Sequence, residues 1–158
     1  VGFDAKRYGR EPRFRWPILT GDSAPTMRDI LIDAGEHPDE IERCTLDDRS
    51  WHCLLQHREK HKASGNGFGY GIVGSRGIAR TLTARYCKDG GEILIDQGAG
   101  RNPRTLTPRE AARLMGFPDG FAVDVVSRTQ MYRLLGNAVV PQVVEAIGHA
   151  VIRTINRK

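Results

Sequence analysis

The stretch RTLTPREAARLMGFP, residues 104–118, decides how the last third of this chain folds. Thr107 has the properties of a helix N-cap, and Pro108 occupies the first helical position, where its missing N–H costs nothing. Glu110 completes a capping box with Thr107, and Gly116 supplies a stop. The stretch therefore predicts one short helix. Its apolar face comprises Leu106, Ala111, Leu114 and Met115.

A second stretch, LGNAVVPQVVEAIG at residues 135–148, joins two more predicted helices. Ser127 and Gln130 repeat the capping box, and Gly136 ends the helix that they begin. Pro141 then begins the final helix. Apolar residues follow at helical spacing in that helix, namely Val143, Val144, Ile147, Val151 and Ile155.

Composition is typical of a globular protein of one domain. The 158 residues are 39% hydrophobic and 27% charged, and 24 Lys and Arg against 19 Asp and Glu give a net charge of +5. This charge permits a polyanionic partner without requiring one. No apolar run approaches membrane-spanning length and no signal pattern is visible, so we expect a cytoplasmic protein without a membrane partner.

The three cysteines do not indicate a disulfide framework, because their number is odd and they are scattered. Cys53, His57 and His61 could share one face of a helix and hold a metal. Their basic neighbours and the lack of a paired C-x-x-C favour a solvated basic face instead. We therefore predict no metal site.

The two C-terminal stretches resemble the ninth and tenth motifs of DNA cytosine-5 methyltransferases, and they occur in that order. In this family the residues equivalent to Asn137, Ala138 and Val139 line the pocket of the methyl donor, S-adenosylmethionine. The resemblance implies a structural role for Arg104, Arg109 and Glu110, with Arg109 organising the recognition lobe rather than doing chemistry.

The middle of the chain contains GNGFGYGIVG at residues 65–74, followed by RTLTARYCKDGGEILID at residues 80–96. The glycine spacing does not fit a dinucleotide-binding loop, and Ile72 and Val73 read as a strand. We predict further strands over residues 77–86 and 92–95, with a turn at residues 88–91.

These middle stretches resemble the target recognition domain of Dcm-type methyltransferases, which methylate the inner cytosine of CC(A/T)GG. The alternative for each polar residue is an ordinary surface position on a strand. The resemblance implies a DNA-binding set of Tyr70, Arg80, Thr81, Leu82, Arg85 and Lys88.

The first half of the chain reads as scaffold. A short helix is predicted over residues 25–34, and Asp47 or Asp48 caps the next helix, in which Trp51, Leu54 and Leu55 should face the core. The predicted divisions are an irregular lead-in from the catalytic lobe, the target recognition domain and the C-terminal helical motifs. They cover residues 1–25, 26–103 and 104–158.

The resemblance implies a mixed α/β fold, with a small sheet-rich recognition lobe and C-terminal helices that pack on a Rossmann-like catalytic lobe outside this chain. The opening Val1-Gly2-Phe3 resembles the end of the family's eighth motif, so the chain reads as part of a longer one. It has no Pro-Cys nucleophile and no glycine-rich donor loop. We therefore predict no catalytic residue here and no activity of the chain alone.

The predicted function is the DNA-recognising part of a bacterial, nucleoid-associated cytosine-5 methyltransferase of a restriction-modification system. Its expected partners are double-stranded DNA and the N-terminal catalytic lobe, and its expected cofactor is S-adenosylmethionine. The alternative is a non-catalytic DNA-binding subunit of a methyltransferase split into two polypeptides. A third, simpler possibility is a domain fragment without independent activity.

Overall fold

A computed structural model describes residues 1–9, 13–18, 25–66, 70–89 and 91–156. The chain divides into two compact units. One combines Val1–Asp22 with Val139–Lys158, and the other is Ser23–Ala138. The division near residue 22 lies close to the predicted end of the lead-in. Residues 104–138, which we grouped with the C-terminal helices, belong to the same compact unit as residues 26–103.

Helices provide most of the regular structure. In chain order the elements are α1 (Ala5–Tyr8), a 3₁₀ helix (Met27–Asp29), α2 (Pro38–Cys44), α3 (Asp48–Ala63), β1 (Ile72–Val73), α4 (Tyr86–Asp89), β2 (Leu94–Ile95), α5 (Pro108–Leu114), α6 (Arg128–Asn137) and α7 (Pro141–Asn156).

The predicted helix boundaries around α5 are confirmed. The Thr107 hydroxyl accepts a hydrogen bond from the backbone N–H of Glu110 at 3.2 Å, and the Glu110 carboxylate accepts one from the N–H of Thr107 at 2.8 Å. Gly116 adopts a φ of +79°, and the N–H of Phe117 donates to the carbonyl of Ala112. This is a Schellman ending, which requires the left-handed conformation that glycine adopts without strain.

The helices on either side of the second stretch are also confirmed. Ser127 and Gln130 form a reciprocal capping box at the start of α6, which ends at Asn137, one residue after the predicted stop. Pro141 is the first residue of α7.

The sheet is small and parallel. Ile72 pairs with Leu94 and Val73 with Ile95, and Arg104 adds an isolated antiparallel bridge to Ile95. The strand prediction at residues 72–73 is thus confirmed, and that at residues 92–95 is confirmed for its last two residues. A mixed fold with a small sheet is observed, whereas the part of the chain described here is not sheet-rich.

The strand predicted over residues 77–86 is wrong. The chain turns at Thr83, whose carbonyl accepts from the N–H of Tyr86, and then enters α4. The cause is tertiary: the Tyr86 hydroxyl donates to the carbonyl of Ile93 and accepts from the N–H of Leu106, both at 2.7 Å. An extended strand would not bring that side chain into the core.

The core of the unit Ser23–Ala138 surrounds the backbone of Leu106. The Tyr86 hydroxyl accepts from the N–H of Leu106 and the Tyr132 hydroxyl donates to its carbonyl, so two buried hydroxyls satisfy both backbone polar groups of one buried residue. The two tyrosine rings meet edge to face at 5.3 Å. The other buried members of the core are Met27, Ile30, Leu82, Ile93, Ile95, Leu106, Ala111, Ala112, Met131 and Leu135.

Two predictions about the first half need correction. The helix expected over residues 25–34 is only the 3₁₀ turn Met27–Asp29, because Asp33 then accepts a hydrogen bond from the N–H of Gly35 and turns the chain. Asp47 caps α3 as predicted. However, α3 buries no residue fully, and Leu55 on its expected core face is exposed.

The unit formed by the two chain ends contains α1 and α7. Aromatic rings of Phe3, Phe14 and Trp16 follow one another at 5.7 and 5.1 Å. The only fully buried residue of α7 is Ala150, and Val144 and Ile152 are exposed on it.

By length and composition alone, Arg128–Asn156 is apolar enough to cross a membrane, which the sequence analysis did not recognise. The backbone of this run is not one helix, because Ala138 adopts an extended conformation and α7 begins only at Pro141. The 16 residues of α7 span about 24 Å. This is shorter than the roughly 30 Å hydrocarbon core of a bilayer.

Candidate nucleic-acid interface

A buried ion pair holds the centre of the unit Ser23–Ala138. The guanidinium of Arg104 donates to both carboxylate oxygens of Glu110, at 2.7 and 2.8 Å, and both side chains are almost fully buried. The same carboxylate accepts from the N–H of Ile32 at 3.1 Å and from that of Thr107 at 2.8 Å. Four donors therefore satisfy one carboxylate and join the segment around Ile32 to α5. This geometry fits the structural role that we expected for Arg104 and Glu110.

The segment from Arg80 to Lys88 separates apolar anchors from polar side chains. Leu82 is 4% exposed and Tyr86, four residues later, is 1% exposed. Both belong to the core. The polar residues on the same segment, namely Arg80, Thr81, Arg85 and Lys88, are exposed. Leu82 was expected to contact DNA beside the target base, but the structure places its side chain in the core.

Helix α6 supports this segment at very close range. A Cβ atom on Gly136 would lie closer than 3.0 Å to backbone atoms of Thr83 and Ala84. On its other side the Thr83 hydroxyl donates to the Glu92 carboxylate at 2.8 Å. Only glycine lets α6 approach the segment this closely, so Gly136 has a packing role besides its predicted place at the helix end.

Tyr70 is placed by α3. Its hydroxyl accepts a hydrogen bond from Arg58 at 2.8 Å, and the Arg58 guanidinium also lies 4.9 Å from the ring centre. The ring of Trp51 meets it edge to face at 5.0 Å. Tyr70 is half-buried as a result, and α3, which we had read as scaffold, holds one of the expected DNA-binding residues.

Two apolar side chains beside Arg80 were not predicted from the sequence to belong to this surface. A cavity of about 150 Å³ is lined by Arg80, Gly71 and Glu92 together with Ile72 and Ile78. Ile78 is 68% exposed and Ile72 is 47% exposed. The strand reading of residues 77–86 concealed Ile78, since it gave no reason for an isoleucine to face solvent. Exposed isoleucines next to an arginine can provide apolar contact to a base edge.

The residues expected at the donor pocket begin with Asn137, the last residue of α6. Asn137 is exposed and Ala138 is half-buried, whereas Val139 is 67% exposed in the other unit. A side-chain amide and a small apolar residue are suited to line an adenosine pocket, and none of the three is buried in a core.

Arg109 lies at a larger cavity of about 670 Å³ in the unit Ser23–Ala138. At the same cavity Arg113 forms a bidentate ion pair with Asp119, at 2.6 and 3.0 Å. These hydrogen bonds from Arg113 hold the pKa of Asp119 below its usual value. Behind it, burial raises the pKa of the Cys44 thiol, to which Arg128 donates.

Two of the histidines on α3 lie side by side. The rings of His57 and His61 meet at 4.5 Å. Within the described ranges, no group of three or more His, Cys, Asp or Glu side chains could hold a metal ion.

Comparisons with known proteins identify the family. Residues 1–153 match the model of the C-5 cytosine-specific DNA methylases. The type II methyltransferase M.NlaX of Neisseria lactamica is 44% identical over 135 residues, which are 85% of this chain and 41% of that protein. The DNA-cytosine methyltransferase of Escherichia coli (strain K12) is 46% identical over 118 residues, 61% of this chain and 25% of that one.

A solved structure shows the same fold. The Dnmt2 methyltransferase of S. pombe aligns with a TM-score of 0.60 at 21% sequence identity, over 83% of this chain and 42% of that chain. The chain thus spans less than half the length of the relatives it matches. It belongs to the C-5 cytosine-specific DNA methylase family.

Proposed function

We propose that this chain is the DNA-recognising, C-terminal part of a Dcm-type cytosine-5 methyltransferase. The unit Ser23–Ala138 reads a short duplex target resembling CC(A/T)GG, and the enzyme flips the target cytosine out of the duplex. S-adenosylmethionine supplies the methyl group when it is bound. The nucleophile and most of the donor pocket belong to a catalytic lobe outside this chain.

The observation that carries the proposal is the two-sided segment from Arg80 to Lys88. Its anchors, Leu82 and Tyr86, fix the backbone in the core, so the exposed cations are presented from a rigid support. Arginine can pair with both acceptors of a guanine edge, and lysine can bind a phosphate. A backbone that is held in this way loses little freedom on binding, which favours specific recognition.

Support for a recognition surface also comes from its immediate neighbours. Ile72 and Ile78 expose apolar surface beside Arg80. Tyr70, which precedes β1, is held by a hydrogen bond from Arg58 on α3. Apolar and cationic groups on one surface match a duplex, which offers thymine methyl groups, base edges and phosphates. In this proposal Asn137, Ala138 and Val139 face the donor from the end of α6.

The DNA-binding part of the proposal can be tested with this chain alone. Fluorescence anisotropy would measure its affinity for a CC(A/T)GG duplex and for a scrambled duplex over a series of salt concentrations. If Arg80 binds a base edge, Arg80→Gln should reduce discrimination by about 1–3 kcal/mol. If Lys88 binds a phosphate, Lys88→Gln should reduce the salt slope by about 1.

Lys6→Gln is the matched control, because Lys6 is an exposed cation on α1 in the other unit. It should leave both quantities unchanged. If Arg80→Gln and Lys88→Gln also bind like the parent at every salt concentration, these residues do not contact DNA and the proposed interface is rejected.

The donor-pocket part needs the catalytic lobe. A separately produced N-terminal lobe of the same enzyme, mixed with this chain, should methylate duplex DNA in the presence of S-adenosylmethionine, whereas this chain alone should not. Asn137→Asp should impair the restored methylation and leave DNA binding by the chain unchanged. Asn156→Asp, an equally conservative change at the exposed end of α7, should impair neither. Methylation by the chain alone would contradict the proposal.

A further inference from the structure

The side chain of Arg109 contains a buried nitrogen that the protein does not satisfy. Its Nη1 atom has no hydrogen-bond partner among the described residues, although it is shielded from solvent. Leaving a charged donor unsatisfied in a protein interior is costly, and such groups usually indicate a bound ion or water. Arg109 also lines a cavity of about 670 Å³, and a rotation of its guanidinium would bring the shielded nitrogen to an ion or water held there.

The arginines around this cavity differ in how their charges are balanced. Arg113 is neutralised by its bidentate pair with Asp119. Among the described residues, the hydrogen bonds of Arg128 go to neutral groups, namely the Tyr132 hydroxyl, the thiol of Cys44 and nearby backbone and hydroxyl oxygens. Neither Arg43 nor Arg109 makes an ion pair within the part of the chain that the structure describes.

The acidic groups limit what this cavity can bind. Besides Asp119, the carboxylates of Glu40 and Asp124 line it, together with the imidazole of His37. Three arginines without an ion-pair partner therefore face two carboxylates, an excess of one positive charge. This balance suits one small anion. A polyphosphate, whose phosphates are joined directly to one another, would be repelled by the two carboxylates.

We propose that the cavity beside α5 binds a single phosphate-class oxyanion, with Arg109 as its principal donor. A guanidinium offers a planar pair of donors that matches two oxygens of a phosphate group. The charges of Arg43 and Arg128 stabilise the anion from the same cavity wall. The anion is either free phosphate or one phosphate of a nucleic-acid backbone. The site does not depend on the DNA-recognition surface proposed above.

The first experiment uses this chain and inorganic phosphate, without DNA. Arginine side-chain Nε–Hε resonances would be followed by NMR during the titration. The resonance of Arg109 should shift and saturate in the millimolar range, whereas that of Arg49, exposed at the start of α3, should drift without saturating. Arg109→Gln should weaken phosphate binding by about tenfold or more, because it removes a charge-assisted hydrogen bond. Arg109→Lys should retain part of the affinity.

The titration of the parent protein tests phosphate binding at this cavity even if a variant fails to fold. No saturable shift of Arg109 at high phosphate concentration would overturn the proposal, as would an equal response of Arg49. A second arm identifies the source of the anion once binding is seen. If duplex DNA displaces the phosphate and Arg109→Gln lowers the salt slope of DNA binding by about 1, the ligand is a backbone phosphate. If DNA does neither, the ligand is a free anion.

Discussion

Helix α6 lies very close to the segment from Arg80 to Lys88. Adding one methyl group at Gly136 should therefore change the stability of the protein in an unusual direction. In most helix positions Gly→Ala stabilises a protein by about 0.5–1 kcal/mol, because alanine loses less backbone freedom on folding. At Gly136 the new Cβ would lie closer than 3.0 Å to the backbone of Thr83 and Ala84, where ordinary contact begins at 3.4 Å. The two backbones must therefore separate by about 1 Å to restore ordinary contact.

The expected result follows from setting these two effects against each other. Overpacking of this kind typically costs about 1–3 kcal/mol. The contact is with backbone on both sides, so no flexible side chain can move away. After the helix gain is subtracted, Gly136→Ala should lower the free energy of unfolding by roughly 1–2 kcal/mol. It should also weaken DNA binding by the folded protein, because Thr83 and Ala84 lie between Arg80 and Lys88.

Urea denaturation followed by circular dichroism measures this change, with an unaltered m value as the sign that folding remains comparable. Gly148→Ala is the control, since a Cβ at Gly148, inside α7, would meet nothing within 4 Å. It should raise stability by about 0.5–1 kcal/mol. If Gly136→Ala is also stabilising, or if its DNA binding equals that of the parent, the reasoning from close packing is refuted.

Two further pairs of variants and one pH titration distinguish buried residues from surface residues. Glu110→Gln should lower the free energy of unfolding by about 3–5 kcal/mol in urea denaturation, because it leaves a buried guanidinium without its partner. Glu42→Gln, in the exposed pair with an arginine, should change it by less than about 1 kcal/mol. A smaller loss for the first variant would contradict the buried-pair assignment. Leu82→Ala should cost about 2–5 kcal/mol, whereas Thr81→Ala should alter DNA binding and leave stability nearly unchanged; the opposite pattern would place Leu82 at the interface. Burial raises the pKa of both core tyrosines above the value of about 10 that they have when unfolded. Their contribution to stability is therefore complete below pH ~10 and is lost as the pH rises above it, so tyrosinate absorbance from these two should appear only together with unfolding.

Local signals explain what the sequence could predict. The capping boxes at Thr107 and Ser127 and the proline that begins α7 each act within one helical turn. Their physical effect is complete in a few neighbouring residues, so a reader of the sequence has all the information required. The same holds for the strand residues Ile72 and Val73, which are β-branched and follow a glycine-rich stretch of sequence.

Long-range partners explain what the sequence could not predict. The segment over residues 77–86 has β propensity, but the partners of its Tyr86 hydroxyl lie at Ile93 and Leu106, and the core overrides the local preference. The unsatisfied nitrogen of Arg109 depends on a cavity whose walls come from α2, α5 and the start of α6. Neither relation leaves a periodic pattern in the chain.

The contact between Gly136 and Thr83 also limits how such proteins can be re-engineered. A designer who wished to exchange target preference would transplant the residues proposed here to face DNA, from about Arg80 to Lys88, into a related scaffold. The transplanted loop would meet the recipient's α6 at a point where even a methyl group does not fit. The unit of exchange must therefore include α6 with its glycine, which makes the portable module considerably longer than the surface that reads the target.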